Sequence, residues 1–187
     1  MSDRPIFIIS GTNRPNSNTL RVARVVQQHY ASQNLPADLF DVTDLPPEVF
    51  SPTVYAGKPA AFVDVQRRVF DSAGIHIVLP EYNGSFPGIL KYFIDLLKFP
   101  ESFDRKPVAF VGLASGMFGA LRAVEQLQMV FAYRNAHVYP DRVFIPAVRD
   151  KLDAQGLLTD NALDERLNRQ VRGFAAFAGA LAPARPG

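Results

Sequence analysis

The chain has 187 residues, of which 48% are apolar and 20% charged, with 20 basic against 18 acidic side chains. That length can bury a substantial core in one domain, and that composition excludes a disordered chain. The net charge of +2, carried by 15 arginines and 5 lysines without a basic run, does not mark the chain for nucleic acid or a membrane surface, and the lack of cysteine excludes disulfides, thiolate metal sites and cysteine nucleophiles. No apolar run is long enough for a signal peptide or a span, so a single domain over residues 1–187, cytoplasmic, is expected.

Proline, kept out of helix interiors and central strands, leaves five free windows at roughly 16–35, 60–79, 88–99, 108–139 and 147–182. Ile6-Phe7-Ile8-Ile9 is the first apolar run, followed by a helical pattern through Leu20, Ala23, Val26 and Tyr30. A weaker strand is expected over Ala37 to Val42 and a helix over Ala60 to Ala73. Then come the run Ile75 to Leu79, a helix carrying Ile89, Leu90, Phe93, Ile94 and Leu97, and the run Val108 to Leu113. Leu121, Val124, Leu127, Val130 and Phe131 mark the next helix. A strand interrupted by Pro140 is expected over Val138 to Ile145, and a last helix bears the stripe Leu163, Leu167, Val171, Phe174, Phe177 and Leu181, capped by Thr159 or Asp160.

Continuous apolar runs, as opposed to alternating ones, indicate strands covered on both faces. Strand and helix alternate, so the expected fold class is α/β, a doubly wound five-stranded parallel sheet of order 2-1-3-4-5 with helices on both faces. In such sheets ligands sit at the carboxyl ends of strands 1 and 3, where the winding reverses. The loops after Ile9, Leu79 and Leu113 then share one rim.

The first of these loops runs from Ser10 to Thr19 and combines hydroxyls, amides, Arg14 and a helix N-terminus, a set suited to a phosphate dianion. A helix cap by Ser17 or Asn16 alone would need far fewer such residues. No Gly-Lys-Ser/Thr ends the loop and no Gly-x-Gly-x-x-Gly occurs, which argues against nucleotide hydrolysis and against a dinucleotide along the first helix. The second loop, Pro80 to Gly88, is longer than an ordinary strand–helix connection and has backbone groups free to face a planar ligand. The third, Ala114 to Gly119, leads into another helix N-terminus.

A G-T-N-R-P-N-S-N-T loop after strand 1, a P-E-Y-N-G-S loop after strand 3 and an A-S-G-x-x-G-A-L-R segment after strand 4 resemble the NAD(P)H-dependent FMN reductase family, over roughly residues 4 to 145. The resemblance implies a flavodoxin-like fold and an enzyme that passes hydride from NADPH or NADH to FMN and then to a small-molecule acceptor: a quinone, azo compound, metal oxyanion or flavin. It implies that Thr12, Arg14, Ser17, Asn18 and Thr19 hold the FMN phosphate. It further implies that Pro80, Glu81, Tyr82, Asn83, Gly84 and Ser85 line the flavin ring, and that Ser115, Gly116 and Gly119 approach its pyrimidine end. No side chain is expected to act as acid or base. Many relatives carry more glycines in the third loop, where this chain has Met117 and Phe118.

His29, His76 and His137 are scattered without ligand spacing, so no metal site is expected. The nearly all-round apolar helix near Ile89 to Leu97 predicts burial on two sides, either in a homodimer or homotetramer interface or under the 46–59 segment. The alternative function is a flavodoxin-like FMN electron carrier that never meets NAD(P)H. A third reading is a phosphate-loop protein for a nucleotide or sugar phosphate.

Overall fold

In a computed structural model that describes residues 4–181, alternating side chains of the central strands pack into two cores, one on each side of a sheet. In β1 (Ile6–Ser10), Phe7 and Ile9 enter one core while Ile6 and Ile8 enter the other, which is why the run contains no polar residue until Ser10. The two-faced burial extends through β3 (Gly74–Pro80) and β4 (Pro107–Leu113), both buried at every position. With β2 (Ala37–Asp41) they form parallel ladders in the order β2-β1-β3-β4. One face carries α1 (Asn18–Ser32) and α5 (Asn161–Leu181); the other carries α2 (Ala60–Asp71), α3 (Gly88–Leu96) and α4 (Leu121–Tyr133).

The expected order 2-1-3-4-5 is observed, with one correction. The fifth strand is two pieces, β5 (His137–Val138) and β6 (Val143–Ile145), so the sheet has six strands. Both pair with β4, Val138 opposite Val108 and Val143 opposite Val111, so the register slips by two residues between them. Pro140 has no N–H to offer in that gap. The amide of Gln170, fully buried on α5, takes over: its Nε2 donates to Phe110 O and Asp141 O, each at 2.9 Å.

Gln170 also belongs to a polar chain through the α1/α5 core. Its Oε1 lies 3.2 Å from His76 Nε2, and His76 Nδ1 lies 2.9 Å from the buried Tyr30 hydroxyl. Such a chain is tolerated because its members satisfy one another. At the helix starts, Ser17 Oγ accepts from Leu20 N–H, and Asp160, one of the two expected caps of α5, accepts from Leu163 N–H through Oδ1.

The apolar faces of α3 find cover within the chain. Three short 3₁₀ turns over Val42–Asp44, Pro47–Phe50 and Pro52–Tyr55 lie outside it. Tyr92 donates its hydroxyl to Val49 O and stacks on Phe50 at 5.5 Å, while Lys58 Nζ donates to Leu96 O. The all-round apolarity that pointed to a subunit interface is therefore accounted for by the 46–59 segment. Among the described residues no helix is long and apolar enough to cross a membrane.

Burial lowers the His76 pKa from 6.5 to about 4. The folded protein keeps this ring neutral down to that pH, whereas the unfolded chain takes up the proton near 6.5. Its contribution to stability is complete above 6.5 and is lost as pH falls toward 4, amounting to about 3 kcal/mol. Urea unfolding across that window should show the loss, and the His76→Asn variant should flatten it.

Candidate functional site

Gly11 N–H donates to Val78 O at 2.8 Å, carrying the β1–β3 ladder one residue past the strand before the chain turns away. A side chain on Gly11 would meet that same carbonyl at 3.1 Å and Leu90 at 3.0 Å. The loop then passes Asn16 in the left-handed region, φ 53, and enters α1 at Asn18. The first-turn N–H groups of a helix have no partner within it, and they carry a partial positive charge. No acidic residue stands in that first turn to consume it.

The second loop is shaped by a tight hairpin. Tyr82 and Ser85 exchange backbone hydrogen bonds of 2.8 and 3.0 Å around Asn83 (φ 51) and Gly84 (φ 76). Two positive φ values in a two-residue turn are the setting that favours Asn-Gly. Gln126 on α4 clamps this turn, donating from Nε2 to Gly84 O at 3.0 Å and accepting from Ser85 Oγ at 2.6 Å. Behind it the Tyr82 hydroxyl meets buried Thr12 Oγ1 at 2.8 Å, and Thr12 also accepts from Arg14 N–H. The first and second loops are thus tied to each other.

In the third loop, Gly119 (φ 56) and Ala120 (φ 70) are consecutive left-handed residues, and α4 begins only at Leu121. The turn lies so close to β4 that a side chain on Gly112 would meet Gly119 O at 2.7 Å. Beyond β6, Ala147 N–H donates to Gly116 O and Val148 N–H to Ala114 O, stitching a fourth loop onto the third.

These four loops enclose a pocket of about 650 Å³. Arg14, Ser17, Asn18 and Thr19 line one end, Pro80, Glu81, Tyr82 and Asn83 the middle, and Ser115 and Gly116 the far wall. Four of the residues expected at the site are not part of this lining. Thr12 sits behind the wall as Tyr82's partner, Gly84 and Ser85 form the clamped turn, and Gly119 packs against β6, where a side chain would meet Ile145 N at 3.0 Å. The wall also contains Asn16, Phe118, Val148 and Arg149. Val148 and Arg149 had no sequence signal, since the loop that brings them follows a strand broken at Pro140.

Charge at the pocket is uneven. Arg14 and Arg149 line it, and neither side chain makes an ion pair with a described residue; Arg14 instead lies over the Tyr82 ring at 5.9 Å. The one lining carboxylate, Glu81, has Oε1 at 3.9 Å from Arg122 and leaves Oε2 buried without a hydrogen-bond partner. Among the described residues no cluster of three metal-ligating side chains occurs.

A family model described as NADPH-dependent FMN reductase matches residues 5–150. The chain belongs to the NADPH-dependent FMN reductase family. The matched segment contains all four loops of the pocket up to Asp150. Within the family, the chain is 30% identical over 139 residues to an NAD(P)H-dependent FMN reductase of Pseudomonas aeruginosa, covering 72% of this chain and 74% of that one. It is 28% identical over 118 residues to an FMN-dependent NADPH-azoreductase of Staphylococcus aureus, covering 59% and 61%. Among solved structures it resembles FerB, a flavoenzyme NAD(P)H:(acceptor) oxidoreductase of Paracoccus denitrificans, with TM-score 0.79, 22% identity and coverage of 95% and 98%. A flavodoxin from the domain Archaea gives TM-score 0.63 at 13% identity, covering 94% and 98%. These two likenesses show that this FMN reductase family member has the flavodoxin-like fold.

The glycines at the end of β4 and in the third loop divide by what faces them. Gly112→Ala drives a methyl into backbone and should cost about 1–3 kcal/mol. Gly116 has nothing within 4 Å of where a Cβ would stand, so Gly116→Ala should stay within about 0.5 kcal/mol of the parent. Urea unfolding of both variants checks the contrast.

Proposed function

We propose that the pocket binds FMN and that the chain is an FMN-dependent NAD(P)H oxidoreductase delivering electrons to a small-molecule acceptor. The observation that carries this reading is the polarity of one continuous pocket. One end offers the N-terminus of α1 with Ser17, Asn18, Thr19 and an unpaired Arg14, a set that matches a phosphate dianion. The rest of the wall runs from Pro80–Asn83 to Ser115 and Gly116, with Phe118 and Val148 beside them, and is open in front of Gly116, where a flat ring system has room. The orphaned Glu81 Oε2 is a buried acceptor suited to a ring N–H. The residues present therefore fit FMN.

When bound there, FMN supplies the redox chemistry, taking a hydride from NADPH or NADH and passing electrons to a quinone, azo compound, metal oxyanion or flavin. The chain's own work is placement. Arg14, Ser17, Asn18 and Thr19 hold the phosphate, while Pro80 to Asn83 and Ser115 to Gly116 hold the ring. The Gln126 clamp and the Thr12–Tyr82 contact keep the second loop rigid, so the reactants meet in one geometry. The Tyr82 hydroxyl is occupied by Thr12, so no proton transfer is assigned to it. The family membership and the names of the P. aeruginosa and S. aureus relatives support the reading.

Anaerobic addition of NADPH, or of NADH, to the purified flavin-loaded protein should bleach its visible absorbance, and a quinone or azo dye should restore it. A flavin spectrum that persists with both nucleotides would instead indicate an electron carrier.

A further inference from the structure

Two guanidiniums line the pocket without an ion pair to any described residue, and they stand on loops that follow different strands. Arg14 follows β1 and Arg149 follows β6, with β3 and β4 between them in the sheet. At roughly 4.8 Å per strand, the strand ends that launch the two loops are about 14 Å apart, so the two loops enter the pocket from different sides. The α1 N-terminus assigns the phosphate to the Arg14 end. Arg149 is then a second cationic point with nothing to hold.

Its placement is built. Ala147 takes a left-handed conformation, φ 47, right after Pro146, and the Ala147 and Val148 N–H groups are bonded to Gly116 and Ala114 of the third loop. Arg149 emerges beside that loop, exposed, and the neighbouring Asp150 does not line the pocket. On the same wall the Phe118 ring is 54% exposed, large for a phenyl group at a pocket mouth. Arg122, over that ring at 5.1 Å and drawn toward Glu81, supports it.

We propose that Phe118 and Arg149 together receive the pocket's second ligand, a flat aromatic molecule carrying an anionic group, with its ring against Phe118 and its charge on the guanidinium. This rests on the reading of the pocket as an FMN site whose phosphate lies at the Arg14 end. Two reactants have that chemistry: the adenosine 2′-phosphate end of NADPH, and an acceptor such as a sulfonated aromatic dye or quinone. An exposed aromatic ring and an unpaired guanidinium on the wall of one pocket suit both, because stacking supplies contact area and the charge-assisted bond supplies selection.

The test is calorimetric binding to the flavin-loaded protein of probes that cannot be reduced: naphthalene-2-sulfonate with its neutral isostere naphthalene-2-sulfonamide, and adenosine 2′,5′-bisphosphate with adenosine 5′-monophosphate. The parent protein should prefer the charged member of at least one pair. Arg149→Gln should remove that preference, about tenfold in Kd, Arg149→Lys should keep part of it, and Phe118→Ala should weaken both members together. Loss confined to the bisphosphate identifies the reductant as the source; loss confined to the sulfonate identifies the acceptor. Unchanged affinity of Arg149→Gln for both charged probes overturns the proposal, as does a variant that folds but no longer retains FMN, which would give Arg149 to the cofactor. Failure of the FMN reading itself shows separately, as a parent protein that takes up no flavin.

Discussion

The parallel ladder between β1 and β3 is the contact from which the pocket is built, because it puts the carboxyl ends of both strands on one rim just where the chain reverses its winding direction. Gly11 extends that ladder by one hydrogen bond to Val78 O, where a side chain would crowd that carbonyl and Leu90. The first loop therefore leaves the sheet at a fixed height and angle. It delivers the positive end of α1 to the same space that β3 opens with Pro80. Strands buried on both faces make this rim stiff, so the loops inherit a rigid base while their tips are left to chemistry.

Much of the loop composition serves shape, not contact. Asn83 and Gly84 are what a two-residue hairpin with positive φ requires, and α4 holds that hairpin through Gln126. Gly112 and Gly119 let the third loop lie flat on β4 and β6. Thr12 spends its hydroxyl on Tyr82. Once these are set aside, the residues that face the pocket include Arg14 and Arg149 from two different loops, the aromatic rings of Tyr82 and Phe118, small residues at Ser115 and Gly116, and one carboxylate partly neutralised by Arg122.

Strand order and the location of the rim were legible because β1, β3 and β4 are apolar without interruption, and only a doubly covered sheet explains that. The cap of α5 was legible to within two residues, Thr159 or Asp160, for a local reason, a hydroxyl or carboxylate immediately before an apolar stripe. The interruption of the fifth strand at Pro140 was legible too, but not what bridges it, because Gln170, whose amide donates to Phe110 O and Asp141 O there, lies far away in sequence. The cover over α3 was open between two readings, since apolarity on all sides reports burial but not what does the burying. Arg149 was invisible for the same kind of reason, its place being set by hydrogen bonds from Ala147 and Val148 to the third loop. Residue identity alone also could not separate Thr12, Gly84, Ser85 and Gly119 from the pocket wall, because hydroxyls and glycines serve turns as readily as ligands.

The α1 end of the pocket is the proposed phosphate site. It is tested most directly by titrating the flavin-free protein with FMN and with riboflavin, which differ only in the phosphate. Charge-assisted bonds from Arg14 and the helix N-terminus predict FMN binding about 100-fold tighter. Equal affinity for the two would contradict the account, since the cations and first-turn N–H groups at that end would then contribute nothing to holding the ligand.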